Sequence, residues 1–150
     1  MEKRVLVSAC LLGEKCRYDG QSKPDKRVIN ALKGCLYAPV CPEVLGGLPT
    51  PRKPSEIKNG RVIMCDGTDV TAQYKTGAQA ALEIAQKMGC TVAVMKSRSP
   101  SCGKGIIYDG TYTKTLTKGD GICAELLMAN GISVIDETEI EKLENEDYSK

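Results

Sequence analysis

The stretch DVTAQYKTGAQAALEIAQKMGCTVAVM, residues 69–95, decides the fold class. Its first part places apolar or small residues at Val70, Tyr74, Gly77/Ala78, Ala81, Ile84/Ala85 and Met88. That is the i, i+3/i+4, i+7 spacing of a helix with one buried face. Gly89 follows where such a helix needs a left-handed closing residue. Thr91-Val92-Ala93-Val94-Met95 is then short and almost wholly apolar, the pattern of a strand covered on both faces, as in a parallel sheet.

Three more runs share that pattern: Arg4-Val5-Leu6-Val7-Ser8, Leu36-Tyr37-Ala38-Pro39-Val40 and Ile132-Ser133-Val134-Ile135. Pro39 cannot donate to a ladder, so the second run belongs at a sheet edge or a bulge. Helical patterns lie between the strands. Asp25 to Lys33 carries Val28, Ile29 and Leu32 on one face and stops at Gly34. Asp120 to Asn130 carries Ile122, Leu126 and Leu127 and ends at Gly131. Glu139 to Glu146 reads as a terminal helix charged enough to be a solvated face or a frayed tail. Two insertions break the alternation. Asn59-Gly60 and Asp109-Gly110 each sit between short β-rich runs and each predict a two-residue hairpin turn. Residues 1–150 therefore form one domain: an open, mostly parallel, Rossmann-like α/β sheet with helices on both faces and inserted β-hairpins.

Composition narrows the function. With 150 residues and 41% hydrophobic content the chain can bury a core without disulfides. A net charge of +2, with six Tyr but no Phe or Trp, argues against a stable nucleic-acid complex or an anionic membrane surface. Histidine is absent, which excludes Ser–His–Asp and Cys–His nucleophile pairs and every histidine-containing metal site within the chain. Val7-Ser8-Ala9-Cys10 looks like a lipoprotein cleavage box, but the apolar run before it is Val5-Leu6-Val7, short of the roughly 7–15 residues of a signal core. The expected compartment is the cytoplasm, where thiols stay reduced and clustered cysteines more often mean metal or catalysis.

Eight cysteines then become informative. Cys10 follows the first strand, with Cys16 in the same loop; Cys41 follows the second; Cys102 follows the third. Open α/β sheets bind ligands beyond the carboxyl ends of their strands, so these four thiols should face one crevice. Cys35, Cys65, Cys90 and Cys123 read as ordinary structural cysteines. Ser99-Pro100-Ser101-Cys102-Gly103-Lys104-Gly105 has the composition of an anion nest of backbone N–H groups beside Lys104, though it is no Walker A loop. A thiol–disulfide enzyme would usually show Cys-x-x-Cys, which the chain lacks. All-thiolate ligation suits zinc or an iron–sulfur cluster, and the residues alone leave both open.

Ser8-Ala9-Cys10-Leu11-Leu12-Gly13 followed by Cys16-Arg17-Tyr18-Asp19-Gly20 resembles the opening signature of the thiouracil desulfidase family. The resemblance continues through Cys41-Pro42-Glu43-Val44-Leu45-Gly46-Gly47-Leu48, Pro51-Arg52-Lys53-Pro54-Ser55-Glu56-Ile57 and Ser99-Pro100-Ser101-Cys102-Gly103, in order and over essentially the whole chain. It implies a [4Fe–4S] cluster held by three thiolates with one iron left open, and non-redox removal of sulfur from thiolated pyrimidines such as 2-thiouracil or 4-thiouridine. Water would attack the ring carbon and sulfur would leave as sulfide. The thiolates implied are Cys10, Cys16 and Cys102, with Cys41 in reserve. Glu43 becomes the acid/base, its pKa expected to rise beside thiolates and sulfides, or else one half of a simple loop salt bridge in Arg-rich surroundings, and Ser99 or Ser101 a partner for the ring or the water. Arg17, Arg52 and Lys53 are candidates for an anionic part of a thiolated base or nucleotide, or else plain loop charges. Asp19 is expected to fix the Cys16 loop by an Asx turn. The competing expectations are a non-enzymatic iron–sulfur or zinc module that senses redox state, and a thiol redox protein.

Overall fold

The computed structural model describes residues 3–146 and Tyr148. In chain order its elements are β1 (Arg4–Ser8), α1 (Lys26–Ala31), β2 (Leu36–Val40), α2 (Pro42–Leu45), β3 (Ser55–Lys58), β4 (Arg61–Met64), α3 (Thr71–Met88), β5 (Val92–Met95), β6 (Ile106–Tyr108), β7 (Leu116–Lys118), α4 (Ile122–Ala129), β8 (Ser133–Asp136) and α5 (Lys142–Asn145). Short 3₁₀ turns follow β1 at Ala9–Leu12 and β8 at Glu137–Glu139.

The four expected sheet strands form one parallel sheet in the order β2-β1-β5-β8. Side chains alternate across it. Leu6, Ala38, Val40, Ala93, Met95 and Val134 pack with Ala78, Ala81, Leu82 and Ala85 of α3 and with Cys123, Ala124 and Leu127 of α4. Val5, Val7, Val92, Val94 and Ile135 pack on the opposite face with Val28, Leu32, Ile140 and Leu143. The core is thus a covered parallel sheet, which is why its strands are apolar along their length. Pro39 lies on β2, an edge strand, as its missing N–H requires. The α3 boundary agrees with the sequence: Gly89 takes the left-handed conformation and its N–H closes on Ala85 O and Gln86 O. Asp25 caps α1, accepting hydrogen bonds from the N–H groups of Arg27 and Val28.

Several expectations change. In α1, Ile29 is exposed, so Val28 and Leu32 alone carry the buried face. The C-terminal segment is not a solvated tail; Ile140 and Leu143 enter the core at 5% and 1% exposure, because an acidic stretch can still bury its apolar residues one turn apart. The first hairpin turns at Asn59-Gly60 with positive φ at both, pairing Lys58 with Arg61. The second does not turn at Asp109-Gly110. Its strands pair Tyr108 with Leu116, leaving 109–115 as a longer loop. Asp109 takes the Thr111 N–H, and the N–H groups of Gly110 and Tyr112 bond to the Glu56 carboxylate at 3.0 and 3.1 Å. That tertiary partner outweighs the local turn preference. A short helix, α2, also stands where only a loop was expected, with Pro42 in its first turn.

Backbone approaches backbone closely where α2 meets α3. A Cβ built on Gly77 would fall on the Pro42 carbonyl, and one on Gly46 on the Gln73 carbonyl. These two glycines let backbone meet backbone, so α3 fixes the segment that follows β2. Gly77→Ala should lower unfolding stability by about 3 kcal/mol or more, because rigid backbone must move. Thr76→Ala, exposed on the same helix, should stay within about 0.5 kcal/mol of the parent. Urea unfolding of both variants checks this, and equal stability would mean that the crossing tolerates a methyl group.

Candidate functional site

Beyond the carboxyl ends of the sheet lies a cavity of about 650 Å³. Cys10, Cys16, Cys41 and Cys102 all line it, with Glu43, Ser99 and Ser101. This gathering follows from topology, since three strand ends deliver three separate loops to one crevice.

Each loop is tied down locally. After β1 the chain makes a 3₁₀ turn carrying Cys10, closed by Gly13 with φ 101. The loop to Cys16 is held by Lys23 N–H on Cys10 O and by the Asx turn that Asp19 makes with Gln21 N–H. Cys41 caps α2, and its Sγ donates to Cys16 O at 3.6 Å. Cys102 sits in a loop organised by Ser99, whose Oγ accepts the N–H groups of Ser101 and Cys102, both at 3.1 Å. Gly103 N–H closes on Ser99 O, and Gly105 N–H on Asp120. Ser101, Cys102, Gly103 and Gly105 therefore spend their backbone donors internally, so the anion nest expected there does not form. Lys104 is not among the residues that line the cavity.

The thiols act on one another. The hydrogen bond with Cys10 pushes Cys16 up to about 11, with burial adding to it and Cys41 opposing it. Cys41 is pushed up chiefly by Cys16 and then by burial. Burial pushes Cys102 up to about 11; Cys41 and Glu43 add to the push and the Ser101 and Ser8 hydroxyls oppose it. A cation is what such a group of thiols lacks, since metal coordination ionises a thiol outright. Among the described residues no three Cys, Asp or Glu side chains are grouped closely enough to share a single metal ion. The candidate donors that line the cavity are all thiols, the ligand type of iron–sulfur clusters.

Glu43 sits in a dense polar network. Arg52 Nε reaches its Oε1 at 2.9 Å, and the pair is partly buried, with 3% and 14% side-chain exposure. Ser101 Oγ donates to its Oε2 at 3.0 Å. Ser99 Oγ already accepts two N–H groups, so its own proton points to Ser101 Oγ, 3.0 Å away. The hydroxyl chain therefore runs Ser99 to Ser101 to Glu43. Arg52 also donates to Pro49 O, Thr50 Oγ1 and Cys16 O. These bonds tie it to the protein, and it also lines the cavity. Lys53 pairs with Asp66 at 3.0 Å and is exposed, away from the cavity lining. Arg17 does line the cavity.

The structure adds residues that the sequence did not single out. Tyr74 reaches the site from α3, where its apolar spacing disguised it. Cys65, expected to be structural, is exposed at the cavity; Cys90 and Cys123 are buried as expected, and Cys35 is half-buried. Tyr18, Tyr108 and Tyr112 supply aromatic surface. Lys96 also lines the cavity and pairs with Glu137 at 2.7 Å; the same carboxylate accepts Ser97 N–H at 2.8 Å and Ser97 Oγ at 2.9 Å. Glu137 thereby anchors the start of the loop that carries Cys102.

A thiol-lined cavity with a partly buried carboxylate, set at the carboxyl edge of a parallel sheet, defines an α/β protein built to hold a thiophilic group beside a small ligand. The model of the 2-thiouracil desulfurase family matches residues 5–139, and the chain belongs to that family. It is 36% identical over 146 residues to the uncharacterized protein YbbK of Bacillus subtilis (strain 168), across 91% of this chain and 97% of that protein. Its structure is similar to that of the [4Fe-4S]-dependent thiouracil desulfidase TudS, with TM-score 0.88 and 40% identity, covering 96% of this chain and 97% of that one. The family and the fold expected from the sequence are both borne out.

The Glu137 anchor has a pH signature. Burial raises its pKa, but bonding to Lys96 and to Ser97 N–H outweighs burial and leaves it below the ordinary 4.5. The stabilisation is therefore present above 4.5 and lost as pH falls through the depressed folded value. Glu137→Gln should be less stable than the parent at pH 7, with the gap closing on acidification below 4.5. Urea unfolding across that range tests it; a pH-independent gap would assign the effect to packing.

Proposed function

We propose that this protein removes sulfur from thiolated pyrimidines, of the 2-thiouracil or 4-thiouridine kind, by hydrolysis dependent on a [4Fe–4S] cluster. One observation carries the reading: four thiols and a donor-anchored carboxylate line a single ligand-sized cavity in a chain of the 2-thiouracil desulfurase family. Cys10, Cys16 and Cys102 are the thiolates that would hold the cluster, with Cys41 in reserve. When bound, the cluster supplies a thiophilic Lewis acid whose open iron draws on the thiocarbonyl sulfur.

The chain's own residues supply the rest. The ion pair with Arg52 and the bond from Ser101 keep the Glu43 carboxylate at the cavity wall, in position to take a proton from water. Water's oxygen replaces sulfur at the ring carbon, sulfur leaves as hydrogen sulfide, and no electron is transferred. Ser99 and Ser101 form the hydroxyl path along which that proton is held and returned. Tyr18, Tyr108 and Tyr112 offer apolar faces to a pyrimidine, and Arg17, Lys23, Arg98 and Lys114 offer charge to an anionic substituent. The chemistry suits the cytoplasm, where the thiols stay reduced. Among the described residues no helix is long and apolar enough to cross a membrane.

Protein reconstituted anaerobically with iron and sulfide should release sulfide from 2-thiouracil. Cys10→Ala, Cys16→Ala and Cys102→Ala should each lose iron, whereas Cys41→Ala should keep it; iron and acid-labile sulfide analysis decides, and iron lost from Cys41→Ala would exchange its role with a neighbour's. Glu43→Gln should retain the iron and lose about a hundredfold or more in turnover. Turnover preserved in that variant would remove Glu43 from the reaction.

A further inference from the structure

The loop of residues 109–115 brings Tyr112 and Lys114 to the cavity lining, with Tyr108 at its entry. Tyr112 has φ 60 and Lys114 φ 61, the left-handed region that such side chains rarely adopt. A conformation of this kind persists only where the surroundings hold it. The β3–β4 hairpin supplies the hold. Glu56 Oε1 accepts the N–H groups of both Gly110 and Tyr112, at 3.0 and 3.1 Å. The Tyr112 hydroxyl donates to Ile63 O. Glu56 and Ile63 stand opposite each other in the β3–β4 register, so one cross-strand pair grips Tyr112 at its backbone and at its hydroxyl. Gly110 is pressed on the same hairpin; a Cβ there would stand 2.8 Å from Ile57 O and from Lys58 Cβ. The hairpin is itself fixed, because Val62 is fully buried and its N–H bonds at 2.8 Å to Thr71 Oγ1, in the first turn of α3.

We propose that Glu56 is a positioning residue that sets Tyr112 as a fixed aromatic wall for the ring of the ligand. The Glu56 side chain lines the cavity too, but its Oε1 is committed to two backbone donors and so serves as an anchor. Tyr112 has one hydroxyl proton, and Ile63 O takes it; what the residue offers the cavity is its aromatic face. A ring held at both ends has little side-chain freedom left to lose when a flat ligand docks on it, so the contact is pre-organised. Within the loop, Asp109 accepts the Thr111 N–H, and the hydroxyls of Thr111, Thr113 and Thr115 stand 2.6 and 2.7 Å apart in sequence. These exposed bonds give the loop a shape of its own, and Glu56 decides where that shape sits. Glu43, Ser99 and Ser101 belong to a separate hydrogen-bond chain, so the wall bears on binding and leaves the chemical step to them.

The identity of the ligand rests on the desulfidase reading, so the test has a second arm that does not. In the reconstituted enzyme, Glu56→Ala and Tyr112→Ala should each raise KM for 2-thiouracil about tenfold, the size of one lost stacking contact, with kcat within about twofold. Glu56→Gln keeps an accepting oxygen and should stay within about twofold of the parent in both. Because Glu56 acts through Tyr112, the double alanine variant should be no worse than Tyr112→Ala. Iron content and melting temperature should match the parent throughout. In the second arm, amide exchange of the peptide spanning 109–115 should quicken about tenfold or more in Glu56→Ala and keep the parental rate in Glu56→Gln. A Glu56→Gln enzyme as impaired as Glu56→Ala would overturn the assignment, by making Glu56 a charge that meets the ligand. An unchanged KM in Tyr112→Ala, fully additive effects in the double variant, or a KM change that merely follows lost iron or stability would overturn it too. If the parent releases no sulfide from any thiolated base, the desulfidase reading fails by itself, and the exchange rates still decide whether Glu56 holds the loop.

Discussion

Backbone meets backbone where α2 crosses α3, and the site depends on that contact. A side chain at Gly46 or Gly77 would occupy space already taken by a carbonyl group of the other helix. The crossing is close because both residues lack a Cβ, and α2 is only four residues long, so it has little freedom to settle elsewhere. Cys41, Pro42 and Glu43 are consecutive at this point. A thiol, a contact and a carboxylate are therefore placed together by one steric fact. The longest helix of the domain packs the sheet with its alanines and the site with Tyr74 and Gly77. Core and site are two uses of the same surface.

Absence of histidine shapes the polar chemistry. The network around Glu43 is made of hydroxyls and one guanidinium, and its direction follows from counting donors and acceptors at each oxygen. Arg52 holds together parts that are distant in sequence, bonding to Glu43 and to the carbonyl of Cys16 at once. With 3% of its side chain exposed, it is a buried charge kept by its partners. The thiols show the complementary arrangement: Cys10 pushes Cys16 up, Cys16 pushes Cys41 up, burial pushes Cys102 up, and no positive group is named among the causes.

Much of this was legible in the sequence where a local rule and the global fold agree. The four sheet strands, the edge position forced by Pro39, the Gly89 stop of α3 and the Asn59-Gly60 turn follow from period, propensity and the need for positive φ. The convergence of Cys10, Cys16, Cys41 and Cys102 follows from strand order. What failed was set by contacts distant in sequence. Asp109-Gly110 looks like a tight turn, but the Glu56 carboxylate takes the N–H groups of Gly110 and Tyr112 and the loop opens. Ile140 and Leu143 sit in an acidic segment whose burial no local count reveals. Tyr74 fits the core spacing of α3, and spacing alone does not show that the same residue also lines the cavity. A loop salt bridge at Glu43 was a legible alternative, but which arginine would form it was not.

The edge strand β2 leaves Leu36 and Tyr37 exposed at 42% and 45%, beside a row of backbone groups that face no neighbour in the sheet. An apolar, open edge of this kind is a template on which another extended chain can add itself. Pro39, opposite Val7 in the register, has no N–H to offer. A strand from a second molecule that began to zip along this edge would meet a missing rung within the five residues available. The residue that first looked like a flaw in a strand pattern thus guards the sheet against growing beyond its own chain.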